Sequence, residues 1–320
     1  MTSSRCQQAM GGRFRFRSDS AAMLEVAEAA CGGLAPHRFR DDGPELDVEL
    51  RLLPRRRATS GREPPPVRTR LGERLQSGIM DAGNYVLVSP RRRRARVVAS
   101  AEMLDHAYHL RYELVEFAIL LLAARCQRLV PLHAACVGRN GRGVLLLGDS
   151  GAGKSTLALH SLLRGLDFLS EDATFVEPDR MLATGLSNFV HVQRDALAGI
   201  PDDAARRWIA GSPVIRRRSG VEKFEADLRR APGQVRLAQA PLELVATVIL
   251  GAQRGEAGRA MLTPATLDEV AASIANDQAY ARTQPGWERF ERWALRAPAY
   301  RLLRGPDPAS SVDALQRLFD

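Results

Sequence analysis

The densest chemistry in this chain lies in one run, Val144-Leu145-Leu146-Leu147-Gly148-Asp149-Ser150-Gly151-Ala152-Gly153-Lys154-Ser155-Thr156-Leu157. Gly148, Gly153, Lys154 and Ser155 fit the phosphate-binding spacing G-x-x-x-x-G-K-[ST]. Asp149, Ser150, Gly151 and Ala152 fill the loop between them, and Thr156 follows it. Glycines allow the backbone to turn its N–H groups inward and approach a polyphosphate closely. A helix starting at Lys154 adds its positive N-terminal end. Lys154 can reach the β- and γ-phosphates, and the Ser155 hydroxyl can ligate Mg²⁺. The expected ligands are therefore a nucleotide polyphosphate and Mg²⁺.

Three further groups belong with this loop. Glu171-Asp172 follows Lys154 at a distance that holds one helix and one strand, so the acids return to the same sheet edge as the phosphates. Carboxylates there can hold Mg²⁺, and one can accept the proton of an attacking hydroxyl. His133 precedes the loop strand. A lone His in an apolar strand is ordinarily a satisfied core residue, but here it can point at the loop and orient an acid or a phosphate. Lys223 stands out by rarity. The chain has 46 Lys+Arg, of which only Lys154 and Lys223 are lysines. A chain otherwise built on Arg keeps Lys where a compact charge is needed, which makes Lys223 a candidate second phosphate contact.

The elements that must position these groups follow from periodicity. Val130 to Val137 reads as a strand, then a turn at 138–141, then the strand Gly143 to Leu147 that feeds the loop. The helix from Lys154 carries Leu157, Ala158, Leu162 and Leu163 on one face and ends at Gly165. Asp167 to Leu169 is a strand running into the acids, with further strands at Phe189 to Gln193 and Leu244 to Leu250. The tail reads as helical: Thr263-Pro264 as a cap and first-turn proline, and a second capped helix starting within Ser310 to Asp313. Upstream, Phe14 to Phe16 and Leu46 to Leu52 alternate as strands, and Ala21 to Cys31 is a helix closed by Gly32-Gly33. Arg55 to Arg70 reads as a loop, Tyr85 to Val88 and Ala95 to Ala99 as a hairpin about an Arg91 tip, and 102–126 as one long helix. The expected division is a small α+β unit over 1–128, which would recognise an acceptor, and a catalytic unit over 129–320.

Bulk properties exclude several classes. With 45% hydrophobic and 26% charged residues, the chain has the composition of a soluble globular protein. No apolar run reaches bilayer-spanning length, and the first residues carry no secretory core, so no membrane role and a cytoplasmic location are expected. The four cysteines, Cys6, Cys31, Cys126 and Cys136, form no C-x-x-C pair, and neither disulfide nor zinc is assigned. Of the net charge of +9, +7 falls in residues 1–130. It concentrates at Arg55-Arg56-Arg57 and Arg91-Arg92-Arg93-Arg94, beside Pro54 and Pro90. Without interleaved aromatics these runs read as solvated loop tips or attraction for an acidic peptide, not for nucleic acid.

The segment from His133 to Val176 resembles the C-terminal kinase domain of the HPr kinase/phosphorylase family. The resemblance is closer still to HPr-kinase-related proteins that phosphorylate peptide precursors, lasso peptides among them. It rests on Leu132-His133-Ala134-Ala135, on Gly143 through Ser155, on Arg164-Gly165 and on Glu171-Asp172-Ala173. It implies an α/β fold, a P-loop in a mixed sheet with flanking helices, as in that family and in ATP-dependent phosphoenolpyruvate carboxykinases. It implies Asp172 as base or metal ligand, Glu171 beside it where the family has Asp, and His133 as the family's upstream histidine. The family's Glu-x-Arg-Gly signature is absent, and Ser187 through Gln193 occupies its place. The expected activity is transfer of the γ-phosphate of ATP to a Ser or Thr hydroxyl of a peptide or small protein, such as a ribosomal natural-product precursor. A small-metabolite kinase, a P-loop NTPase and a nucleotide-binding module without transfer are the alternatives, and a homo-oligomer is compatible with all of them. The Leu-Ser-Gly-Gly signature of transporter-type NTPases is missing.

Overall fold

A computed structural model describes the chain except for residues 1, 42, 56–62, 73, 234, 236, 239–240, 256–259, 277, 306 and 320. The chain divides into two compact units, residues 1–127 and 128–320.

The first unit is one sheet with helices on one face. Its elements in order are β1 (Ser3–Ala9), β2 (Gly12–Ser18), α1 (Ala21–Cys31), β3 (Glu45–Leu53), β4 (Arg68–Leu71), β5 (Gln76–Asp81), β6 (Asn84–Ser89) and β7 (Arg94–Ser100). The strands run β1-β2-β3-β7-β6-β5-β4, with β2, β3 and β7 parallel and the rest antiparallel. Strand alternation separates the faces. Phe14, Phe16, Leu46, Val48 and Leu50 are buried, while Arg13, Arg15 and Arg17 lie outside opposite Glu45, Asp47 and Glu49. The outer ion pairs, such as Arg96 to Glu49 at 2.8 Å, are exposed and each contribute about 0–1 kcal/mol. The expected hairpin is present as β6 and β7, with Arg91 to Arg94 exposed at its tip. Of the other cluster, Arg56 and Arg57 lie outside the described residues.

Two sequence expectations change here. Arg55 to Arg70 is not wholly loop, because Arg68 to Leu71 form β4 along β5. Nor is 102–126 one regular helix. It comprises a 3₁₀ stretch Ala101–His106, the turn α2 (Ala107–His109), a widened π-type stretch Leu110–Val115 and α3 (Glu116–Gln127). Inside the π stretch, buried Arg111 pairs with Glu116 at 2.8 Å, a spacing of five residues that a regular α-helical face does not bring together.

The second unit runs β8 (Val130–Leu132), β9 (Ala135–Arg139), β10 (Arg142–Leu147), α4 (Lys154–Leu163), β11 (Asp167–Ser170), β12 (Thr174–Glu177), β13 (Leu182–Thr184), β14 (Phe189–Val192), α5 (Asp203–Ala210), β15 (Val214–Arg216), β16 (Glu222–Asp227), β17 (Leu242–Arg254), β18 (Met261–Pro264), α6 (Leu267–Ala275), α7 (Trp287–Ala294), β19 (Ala299–Arg304) and α8 (Pro308–Gln316). Its main sheet is mixed, in the order β11-β9-β10-β17-β13-β12-β8, with β19 also on β17 and β18 on β19. A smaller sheet runs β14-β16-β15. The fold is thus α/β, a P-loop mixed sheet with flanking helices. From Val144 to Leu147 strand β10 is apolar and buried because both its faces are covered. Val144 and Leu146 join one core with Leu157, Ala158 and Leu162 of α4. Leu145 and Leu147 join another with Ile274 of α6 and Phe290 of α7.

The expected continuous strand from Val130 to Val137 is broken at His133-Ala134. Its first part pairs with β12 and its second with β10 and β11. The tail also differs. Thr263 and Pro264 end β18, where an edge strand tolerates Pro, and Thr266 caps α6 in a reciprocal box with Glu269. The last helix is capped by Asp307 rather than starting at Ser310.

Candidate functional site

The phosphate loop joins β10 to α4, and three of its glycines have left-handed or related backbone: φ is +146° at Gly148, +80° at Gly151 and +89° at Gly153. A Cβ at Gly148 would lie 2.7 Å from the carbonyl oxygen of Leu250, so a side chain there would collide with β17. Gly153 is the N-cap of α4, which places Lys154 and Ser155 in the first helical turn. Lys154 is buried, and its Nζ donates to the carbonyls of Gly148 at 2.7 Å and Asp149 at 3.3 Å. The loop is braced from the C-terminal part of the chain. Arg304 donates to the carbonyl of Ala152, and Asn276 donates to the carboxylate of Asp149.

A cleft of about 580 Å³ opens over this loop. Asp149, Ser150, Gly151, Gly153, Lys154, Ser155 and Thr156 line one side, with His133, Asp172, His191, Arg217 and Lys223 among the other lining residues. Gly148 and Ala152 shape the loop without lining the cleft. Of the sequence candidates, His133, Lys154, Ser155, Asp172 and Lys223 are therefore brought together.

The meeting of His133 and Asp172 follows from topology. β8 and β9 are joined by the His133-Ala134 break, and β11 and β12 by the crossing Glu171-Asp172-Ala173. β9 pairs with β11 and β8 with β12, both antiparallel, so the two breaks lie opposite each other. Thr174 pins the arrangement by donating its hydroxyl to the carbonyl of Ala134 at 2.9 Å. His133 Nε2 then stands 3.1 Å from Asp172 Oδ1, and Arg217 stands 3.7 Å from Asp172 Oδ2. Burial by itself would raise the Asp172 carboxyl. The His133 hydrogen bond, the Arg217 charge and the charges of His133 and Lys154 outweigh it and hold Asp172 well below the usual carboxylate range.

Glu171 is placed differently from its neighbour. It is buried, and its carboxylate accepts from the backbone N–H of His191 and faces the His191 ring at Nδ1. The other ring nitrogen, Nε2, lies 3.0 Å from Glu225 Oε1. Burial disfavours the charged imidazole, but Glu171 and Glu225 on its two sides overcome that, and the His191 pKa is raised above its ordinary value. Glu171 is thus turned into a buried Glu-His-Glu row rather than into the cleft, and of the expected acidic pair only Asp172 lines the cleft.

The small sheet explains Lys223. His191 of β14 faces Glu225 of β16, and Lys223 lies two residues from Glu225 on the same side of β16. The alternate residues Val190, Val192, Phe224 and Ala226 enter the core against α4. Sequence reasoning missed His191, whose alternation with Val190 and Val192 was a usable signal. It also missed Arg217, within Arg216-Arg217-Arg218, where nothing local distinguishes the middle arginine.

No protein-family model matches the chain. Among curated proteins it is similar to "HPr kinase/phosphorylase" of Aromatoleum aromaticum, 29% identical over 140 residues, covering 41% of this chain and 42% of that protein. The corresponding protein of Azoarcus sp. is 31% identical over 140 residues, covering 41% and 42%, and that of Burkholderia lata is 32% identical over 126 residues, covering 38% and 37%. The chain thus spans about two fifths of the length of the curated relatives it matches. Among solved structures it is similar to the Hpr(Ser) kinase/phosphatase from Coxiella burnetii, with a TM-score of 0.32 and 12% identity over 58% of this chain and 94% of that one. By sequence, the chain is HPr-kinase-like over the matched stretch.

Proposed function

We propose that the chain is an ATP- and Mg²⁺-dependent kinase that transfers the γ-phosphate to a Ser or Thr hydroxyl of a peptide or small protein. One observation carries the reading: Lys154, Asp172, His133, Arg217 and Lys223 line one cleft over a phosphate loop. The relatives' printed names, which couple kinase with HPr, support phosphotransfer to a protein. The Ser155 hydroxyl and the Asp172 carboxylate are hard oxygen donors on that cleft and suit Mg²⁺, whereas Glu171 is committed to His191. When bound, the ion neutralises charge on the β- and γ-phosphates.

The residues divide the transfer between them. Loop N–H groups and Lys154 hold the triphosphate, in line with the entry of the acceptor oxygen. Asp172 accepts the acceptor's hydroxyl proton as that oxygen bonds to the γ-phosphorus and the bond to ADP breaks. His133 and Arg217 keep Asp172 ionised and oriented. Lys223 meets the transferring phosphoryl group from the opposite wall, supplying charge where it develops. The acceptor class, a ribosomal natural-product precursor among them, is tested by incubating the protein with Mg²⁺ and γ-labelled ATP against purified HPr and a panel of Ser- and Thr-containing peptides. Phosphoserine or phosphothreonine in an acceptor is the expected product. Free phosphate alone would make the chain an NTPase.

A further inference from the structure

The break at His133 removes that residue from the strand ladders on either side of it, so its half-buried backbone N–H and C=O need other partners. Both are met by one side chain. Gln278, 145 positions away, accepts from the His133 N–H through Oε1 at 3.0 Å and donates from Nε2 to the His133 carbonyl at 3.2 Å. Gln278 is 4% exposed. Its amide thus does for His133 what a neighbouring strand would do. Gln278 lies between α6 and α7, whose Ile274 and Trp287 are anchored in the core. The same connection carries Asn276, which holds Asp149 of the phosphate loop.

We propose that Gln278 is a positioning residue for the transfer, fixing the His133 backbone at the strand break so that Nε2 meets Asp172. The inference rests on the kinase reading above. His133 is held by backbone contacts on one side and by Asp172 at its ring, so rotation or drift of the break moves Nε2 off the carboxylate. Small displacements of an orienting group cost rate steeply when the ground-state binding of the nucleotide is left intact. A Gln that served only to fill space would be replaceable by any residue of similar volume. This one offers a donor and an acceptor in the spacing of a peptide unit, which only Gln and Asn can offer, and Asn is one methylene shorter.

The test uses the full chain, Mg²⁺-ATP and the peptide that scores best in the transfer assay. Gln278→Ala should lower kcat about tenfold while KM for ATP stays within about twofold. Hydrogen exchange at the His133 amide should accelerate, a readout independent of catalysis. In a His133→Ala background the Gln278→Ala change should have no further effect on kcat, because the two act through one contact. Gln278→Met keeps the volume and removes both hydrogen bonds, and should lower kcat as Gln278→Ala does. If Gln278→Ala does not fold, Gln278→Met decides by the same kcat and exchange readouts. Unchanged kcat in a folded variant, or full additivity with His133→Ala, would overturn the inference. A wild-type chain that phosphorylates nothing would instead overturn the kinase reading, and the two failures are thereby distinct.

Discussion

At Asp172 one carboxylate meets His133, Arg217 and the charge of Lys154, and its ionised form is favoured by all three. Asp172→Asn keeps the shape and removes the charge. It should cut the transfer rate by roughly 10²-fold or more, with ATP affinity changing less. Separate measurement of kcat and of nucleotide Kd checks this, and wild-type values for both would remove Asp172 from the chemistry. Lys223 offers a sharper test, because the chain uses Arg at nearly every other basic position. Its place on the cleft wall fits a compact charge against the phosphoryl group. Lys223→Arg should therefore already slow transfer, since the wider planar fork displaces that charge. The neighbouring Phe224 is the core residue of the strand, so folding should be unaffected. Wild-type turnover would return Lys223 to a solvent role. That Asp172 and Lys154 would face one cleft was legible from motif and spacing. Glu171 was expected beside Asp172 in the cleft, but its carboxylate is taken by His191, a partner 20 positions away that spacing alone does not reveal.

Strands β14 and β16 contribute His191, Val192 and Lys223 to the cleft, and His191 is buried between two carboxylates. His191 stands between Glu171 and Glu225, with Arg217 also bearing on it. Its folded pKa is raised above the roughly 6.5 of an unfolded His. The stabilisation is therefore fully present below about 6.5 and is lost as pH rises through the higher folded value. The difference in Tm between wild type and His191→Gln should be largest below about pH 6.5 and shrink as the pH is raised above it. A difference that is flat or grows with pH would contradict the charged row. At this scale the sequence was read well where one period dominated. The ends of α1 and the pairing of β6 with β7 followed from alternation and glycine. The break in the Val130 to Val137 run did not, because both halves are apolar strand and only the partners of β8 and β9 reveal the bend. The cap of α6 was misplaced because Thr263-Pro264 mimics a helix start, while Thr266 with Glu269 forms one.

Across the whole chain, residues 128–320 hold every group of the candidate site, and residues 1–127 form a separate sheet with a charged outer face. Among the described residues no helix is long and apolar enough to cross a membrane. What could not be read from the sequence is what distance along the chain hides. Gln278 reaches His133, Arg304 reaches the phosphate loop, and Glu225 completes the His191 row, all through packing of elements far apart in order. The central claim is phosphoryl transfer from this loop to a hydroxyl. It is tested most directly by following label from γ-labelled ATP with Mg²⁺ into Ser- or Thr-containing acceptors, for wild type and Lys154→Ala side by side. Removing the Lys154 charge removes transition-state stabilisation of about 3–4 kcal/mol, or roughly 10²–10³-fold in rate. The account predicts phosphoserine or phosphothreonine with wild type and a near-complete loss in a folded Lys154→Ala. Equal transfer by both proteins, or label released only as free phosphate, would contradict it.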